Sequence, residues 1–335
     1  MAKAQWIRGY RLHIYVPDKQ VSSGALNKSR TRFYDREILI TDLRCTFSCK
    51  KTMLRDSSIG EITLWNLSPY LESLIISEGH SLVLEAGYIN SSIAVIFSGR
   101  ILQPIRGKES GTDYYLKLVC LDGDSYFNLA FSSGTLESNQ TKSQLAKQTL
   151  RLSNYNEFQG GRVKVEDLDD LPNESTVDGS IVKNERPKVV FGRTSKIIDN
   201  LARMGNSSAY IENGQLKFFK ANEDSTKHRV WEINPSTGMI GDPTQSEYQI
   251  SVRVLLNPLL KIQEFIHLQN STIRVQQYGI REIPFLLEPS GLYQIIEIGY
   301  SGDTHGQEWY CDIKAITRNG KVPSQLSDKW GNLII

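Results

Sequence analysis

Side chains able to do acid–base, nucleophilic or metal chemistry are present in this sequence, but never at the spacing that chemistry needs. The five histidines, His13, His80, His228, His267 and His305, form no H-E-x-x-H or H-x-H pattern, the arrangements that seat two imidazoles on one metal ion. A serine nucleophile on a strand-to-helix elbow carries G-x-S-x-G. That signature is absent, and Gly134-Thr135 and Gly192-Arg193-Thr194 read as ordinary helix starts. Neither G-x-G-x-x-G nor G-x-x-x-x-G-K-[ST] is there to cradle a phosphate. Glycoside hydrolysis needs two carboxylates about 5 to 10 Å apart in a cleft. The candidate pairs, Asp122 with Asp124 and Asp303 with Glu308, both fall on turns, and Asp122-Gly123-Asp124 reads as a hairpin turn whose glycine supplies positive φ. No residue is assigned as catalytic, as cofactor-binding or as a metal ligand.

Aromatic and sulfur side chains read as structural. Trp65 and Trp309 stand in alternating strands, where a large ring fills a core or an interface; a sugar-stacking platform is the alternative. Cys45 and Cys49 lie in LRCTFSCKKT with Leu43 and Phe47 at period 2, which makes them neighbours on one strand face. A C-x3-C spacing with no second pair or histidine nearby is not a zinc site. Four cysteines in 335 residues are also too few for a disulfide scaffold, which points to synthesis in a reducing cytoplasm.

The composition narrows the class further. At 39% hydrophobic and 23% charged residues the chain is able to bury a core, and its length fits about two domains at roughly 150 residues each. Lys and Arg number 39 against 37 Asp and Glu, so no cationic excess exists to coat a nucleic-acid backbone. No run of 18 apolar residues occurs, and MAKAQWIRGYRLHIYV mixes charge with apolar residues. Neither a membrane-spanning segment nor a Sec signal is expected.

The elements that must position these residues are mainly strands. Period-2 apolar runs fill the first 130 residues: Leu43 to Phe47, EITLWNL, SLVLEAGY, IAVIFSGRIL and YYLKLVCL. Such spacing without a helical period predicts an antiparallel sandwich or closed barrel. From Ser132 the pattern changes to a polar helical stretch anchored by Leu145, Leu150 and Leu152. Residues 160–187 carry Glu166, Asp167, Asp169, Asp170, Glu174 and Asp178 and read as an exposed acidic loop; a Ca²⁺ loop would need D-x-D-x-D-G spacing closed by a glutamate. TSKIIDNLARMGNS predicts a helix capped at Thr194 or Ser195 and stopped at Gly205. AYIENGQLKFF is a hairpin turning at Asn213-Gly214. A second strand-rich region begins near Trp231: YQISVRVLLNPLL, EFIHLQ, STIRVQQY, LYQIIEIGY and EWYCDIKAI.

The two ends repeat one another in order and spacing. Asn66 and Asn257 each follow an alternating strand and precede a proline, and Gly123 and Gly320 each close the last strand of a unit. The alternative is that any two antiparallel meanders look alike at this resolution. The expected fold is mainly β with an α+β middle: two related antiparallel tube-like β-barrels flanking a mixed α/β region. The expected divisions are 1–131 for the first barrel, 132–235 for the middle with its acidic loop, and 236–335 for the second barrel.

Several strings have a further resemblance. LRCTFSCKKTM, IGEITLWNLSP, EGHSLVLEAGY, IFSGRIL and YYLKLVCLDG contain N-L-S at Asn66, Leu67 and Ser68, A-G-Y at Ala86, Gly87 and Tyr88, and F-x-G-x-I at Phe97, Gly99 and Ile101. Later come GMIGDP at Gly238 to Pro243, LLNPLL at Leu255 to Leu260 and GDTHGQEWY at Gly302 to Tyr310. In this order they resemble the baseplate hub proteins of contractile-tailed bacteriophages over nearly the whole chain, with GMIGDP similar to that family's glycine-proline turn. The sequence departs from that family where Ser58, Ile59 and Gly60 replace a P-N turn, and the stretch from Glu166 to Asp178 matches none of its motifs.

The resemblance implies a structural virion protein and not an enzyme, with no cofactor. It implies a homotrimer in which each chain supplies two tube-like barrels, so that a pseudo-sixfold ring adapts the sixfold tail tube to the threefold central spike. The implied partners are the tail tube protein, the central spike protein and other baseplate proteins. The genome would pass through the lumen without specific nucleic-acid binding, and no membrane insertion is expected. The implied location is the virion tail baseplate, assembled in the host cytoplasm. Two alternatives stay open: a tail-associated peptidoglycan-degrading enzyme, and a tip or tube protein of a siphophage tail or contractile injection system.

Overall fold

A computed structural model of the chain describes residues 7–16, 36–53, 58–76, 80–89, 91–123, 130–153, 176–177, 180–181, 183–204, 207–219, 228–246, 249–269, 273, 275–277 and 291–317. The acidic stretch expected to be a loop, together with Asp124, Gly205 and Gly320, lies outside the described residues apart from short pieces at 176–177 and 180–181.

The first part is built from β1 (Arg8–Val16), β2 (Arg36–Ile40), β3 (Cys45–Thr52), β4 (Ser58–Trp65), helix α1 (Pro69–Ile75), β5 (Ser81–Tyr88), β6 (Ser92–Lys108) and β7 (Tyr114–Asp122). Alternation dictates these strands: in β4 Ile62 and Leu64 point inward, fully buried, while Glu61 faces out. Ser68 caps α1 by accepting from the Leu71 N–H, with Pro69 in the first turn where no N–H is needed.

The middle comprises β8 (Phe131–Leu136), α2 (Lys142–Arg151), β9 (Thr176–Val177), β10 (Ser180–Ile181), β11 (Lys188–Arg193), α3 (Thr194–Arg203), β12 (Ser208–Glu212) and β13 (Gln215–Phe219). The last part comprises β14 (Val230–Ile233), β15 (Met239–Ser246), β16 (Gln249–Leu255), β17 (Phe265–Leu268), β18 (Val275–Gln277), β19 (Leu292–Asp303) and β20 (Trp309–Thr317). The chain is mainly β.

Fourteen of these strands join in one sheet. Its path runs β18-β15-β16-β20-β19-β3-β4-β7-β6-β5-β1-β2, with β17 pairing β19 and β14 pairing β17 off that path. Within it, β3-β4-β7-β6-β5-β1 has the same succession as β15-β16-β20-β19-β17-β14. One pairing differs: β1 runs antiparallel to β5, whereas β14 runs parallel to β17. A single apolar core lies under both halves, from Leu12, Ile62 and Leu118 to Ile250, Ile298 and Ile313.

The middle has its own core, in which Leu145, Ala146 and Leu150 of α2 meet Ile198, Leu201 and Ala202 of α3 and Ile211 and Leu216 of the β12–β13 hairpin. Asn213 and Gly214 turn that hairpin with φ of 52° and 78°, as the Asn-Gly pair predicts.

Three local expectations change. Gly134 is no helix start but sits inside β8 opposite Val190 of β11; the ribbon's long-range pairing overrides the turn-like Ser-Ser-Gly-Thr. Arg193, not Thr194 or Ser195, occupies the N-cap of α3, because β11 runs straight into the helix. GMIGDP does not end a strand: Met239 to Pro243 belong to β15, whose register with β16 shifts between Ile240 and Thr244. Pro243 has no N–H to give to a ladder, so the strand passes it as an irregularity.

Candidate functional site

What the sheet path brings together is a seam. β19 lies antiparallel beside β3 from Glu297 opposite Thr52 to Asp303 opposite Thr46, so the two halves share one continuous hydrogen-bonded sheet. Cys45, Phe47 and Cys49 of β3 face the core there, as period 2 predicted. Burial pushes the Cys49 thiol up to about 12, so it stays a thiol and packs as a small apolar group.

One end of the seam is clasped by polar side chains. Arg8 of β1 donates to the carbonyls of Asp303, Gly306 and Gln307 at 3.1, 2.6 and 2.9 Å. Cys45 N–H donates to Thr304 Oγ1 at 3.0 Å, and Thr304 N–H returns a bond to the Cys45 carbonyl at 3.1 Å. Burial pushes the Asp303 carboxyl up, but the backbone N–H groups of His305 and Gly306 and the Arg44 guanidinium outweigh it and hold the group below the usual range. Trp309 plugs the apolar side, its ring edge-on to Phe47 at 5.3 Å.

The other end is clasped by the middle. Met53, Tyr210, Phe219, Ile262, Ile296 and Ile316 form a separate buried cluster in which the β12–β13 hairpin meets both halves. Gln263 donates its side-chain N–H to the Phe218 carbonyl. Beside this cluster lie four ionisable groups. Lys51 Nζ stands 3.9 Å from Glu212 Oε1, both side chains almost fully buried, and Lys217 Nζ is 2.7 Å from Glu212 Oε2. Asp122, at the end of β7, accepts from the Gly214 N–H at 2.8 Å and so holds the hairpin tip. Burial pushes the Asp122 carboxyl up to about 7, against the pull of the Gly214 N–H and Lys51. Burial likewise pushes the Lys51 ammonium down, against Glu212 and Asp122.

On the outer face of the sheet, at the seam and on either side of it, charges pair across neighbouring strands. Lys50 and Lys314 both meet Glu297, at 3.0 and 2.9 Å. Lys117 meets Glu61 at 2.7 Å, and Arg253 grips Asp312 with two bonds of 2.6 and 3.0 Å.

The residues weighed as carboxylate pairs are therefore turn and clasp residues. Asp303 and Glu308 close the β19–β20 turn through a backbone bond of 2.9 Å. Trp65 presents its indole N–H to Glu109 at 2.5 Å and carries the Arg44 guanidinium 4.3 Å above its ring. Among the described residues no group of three or more His, Cys, Asp or Glu is placed to hold a metal ion. Sequence reasoning gave no role to Arg8, Lys51, Glu212 and Gln263, although Lys51 lies in LRCTFSCKKTM and Glu212 beside the Asn213-Gly214 turn.

Gly302 is the tighter of the two glycines of β19 that lie on the seam. A Cβ there would lie 2.9 Å from Trp309 Cε3 and inside the contact distance of the Phe47 ring. Gly302→Ala is expected to lower stability by about 1–3 kcal/mol through overpacking. Thermal unfolding of the variant checks this, with Phe47→Leu in the same background expected to return part of the loss.

A family model described as baseplate hub gp41 matches residues 44–289. No curated protein shows significant similarity to the chain. Among solved structures, the fold is similar to the 43 kDa tail protein of prophage MuSo2 from Shewanella oneidensis, with TM-score 0.52 and 8% identity, covering 84% of this chain and 94% of that one. It is similar to the tail protein from Neisseria meningitidis MC58, with TM-score 0.52 and 9% identity, covering 92% and 96%. It is also similar to an E. coli component of the type VI secretion system that exhibits structural similarity to T4 bacteriophage tail proteins gp27 and gp5, with TM-score 0.50 and 11% identity, covering 82% and 73%.

Proposed function

Because the chain belongs to the baseplate hub gp41 family, we propose that it is a trimeric tail hub that adapts a sixfold tail tube to a threefold central spike and forms part of the DNA ejection channel. The observation that carries this reading is the doubled strand succession, β3-β4-β7-β6-β5-β1 and β15-β16-β20-β19-β17-β14. Two copies of one unit per chain turn a threefold assembly into six similar units, which is the symmetry a sixfold tube requires. On this reading residues 1–131 and 236–335 are the two tube-like barrels and 132–235 the domain inserted between them.

The charge distribution supports the channel. The cations Lys50, Lys117, Arg253 and Lys314 face three carboxylates across the strands, Lys50 and Lys314 sharing Glu297. Cations paired in this way hold DNA less strongly through counterion release than free ones do. The role is structural, with the tail tube, the spike and other baseplate proteins as partners, in a virion assembled in the host cytoplasm. Light scattering on a size-exclusion column, over a range of protein concentration, tests it. A mass near three times that of the chain is expected, and a stable dimer overturns the reading.

A further inference from the structure

The β12–β13 hairpin touches three places along the sheet path β19-β3-β4-β7. Its tip is bonded to the end of β7 through Asp122. Its Glu212 reaches Lys51 of β3, and its apolar side packs on Met53, Ile262, Ile296 and Ile316 from both sides of the seam. The contact at the tip is ionisable where an ordinary hairpin dock is apolar. Asp122 is 2% exposed, Lys51 and Glu212 3% each.

We propose that this hairpin is a proton-operated latch on the seam, held shut by a neutral Asp122 side chain and eased open when that side chain must carry a charge.

The groups around Asp122 and around its neighbours Lys51 and Glu212 come from the sheet and from the hairpin. Ser58 of β4 stands opposite it in the sheet, with Lys51 one strand further on. Glu212 and Lys217 come from the hairpin, and the Tyr300 ring of β19 lies 5.7 Å from Lys51 Nζ. Lifting the hairpin takes away Glu212 and the Gly214 N–H and opens the carboxyl to water.

The sign follows from proton linkage. Docked, Asp122 binds its proton up to about pH 7, against 3.8 in water, so docking takes up a proton between those values. The contribution of Asp122 to docking is complete below pH 4 and is lost as pH rises to 7, about tenfold in the docking equilibrium per pH unit for one proton. Lys51 acts in the other direction. Its ammonium is pushed down from 10.5, so its contribution to docking is lost as pH falls below that value. Asp122→Asn removes the first effect and keeps the second, while the amide oxygen still accepts from Gly214.

Hydrogen exchange of the full chain, read on peptides covering residues 208–219 and corrected for intrinsic exchange, tests the latch between pH 5 and 8. Between pH 5 and 7 hairpin opening in the parent is expected to rise relative to Asp122→Asn by about tenfold per unit, while peptides of β5 and β6 stay unchanged. Asp122→Asn is expected to show only the opposite trend of Lys51. An equal slope in parent and variant, or a loosening shared by the whole chain, overturns the proposal. Carbon-13 NMR of the Asp122 carboxyl in the parent needs no variant. A midpoint near 7 is expected, and a midpoint below 5 overturns the latch.

Discussion

A Glu212→Leu variant will lose about 3–5 kcal/mol of stability, the typical cost of leaving a buried charge without its partner. Lys51 is 3% exposed and lies 3.9 Å from Glu212; of its remaining neighbours, Tyr300 and Cys49 do not replace a carboxylate, and Asp122 offers one that burial pushes toward its neutral form. Lys217 will suffer less, since its side chain is 28% exposed and swings into water. The double variant Lys51→Met with Glu212→Leu is expected to recover most of the loss, because apolar groups of similar volume often serve as well as a buried ion pair. Denaturant unfolding of the parent, both single variants and the double variant, at one protein concentration, gives the coupling directly. A double variant as unstable as the sum of its parts would show that the two side chains act separately.

The second large effect belongs to the opposite clasp. Trp309→Ala is expected to cost about 3–5 kcal/mol, as for other large core truncations. Trp309 is 2% exposed, lies against Phe47 across the seam and has the Arg8 guanidinium 5.6 Å from its ring. Its indole N–H is buried without a hydrogen-bond partner among the described residues, a penalty the folded state already carries. Trp309→Phe removes that N–H along with one ring, so it is expected to cost clearly less than Trp309→Ala. Comparing the two by thermal unfolding separates lost packing from relieved desolvation.

Much of this was readable in the residues. Period 2 placed the strands, and the spacing around Asn66 and Asn257 gave away the repeat that the strand succession now displays. Cys45 and Cys49 proved to be buried neighbours on one face, and Asn213-Gly214 a hairpin, because each depends on contacts only a few residues away. The family resemblance also held, since it rested on strings whose order is hard to reproduce by chance. The seam was not readable. Nothing local distinguishes the edge of β3 that meets β19 from an edge that meets water. Lys51 in C-K-K-T looks by residue type like a solvent-facing lysine, yet it continues the inward face of Cys45, Phe47 and Cys49 and is buried. Thr52, on the other face, is buried as well, and only there does period 2 fail. Glu212 beside Asn-Gly likewise looks like a polar turn residue. Gly134 and GMIGDP were misread because glycine and proline mark turns on average, while long-range pairing drew both into strands.

The pairing of β3 with β19 also sets a schedule for synthesis. Cys45 and Thr304, bonded at one end of the seam, are 259 residues apart in the chain. At about 5–20 residues per second, a ribosome needs roughly 13 to 52 s to deliver the second after the first. During that interval β1, β4, β5, β6 and β7 are available to fold, but β3 waits with a row of unsatisfied N–H and C=O groups along its outer edge. Another nascent chain offers the same β19 sequence. On a crowded polysome, strand exchange between chains therefore competes with seam formation within one chain, and the competition favours the intramolecular partner only when nascent chains are kept apart.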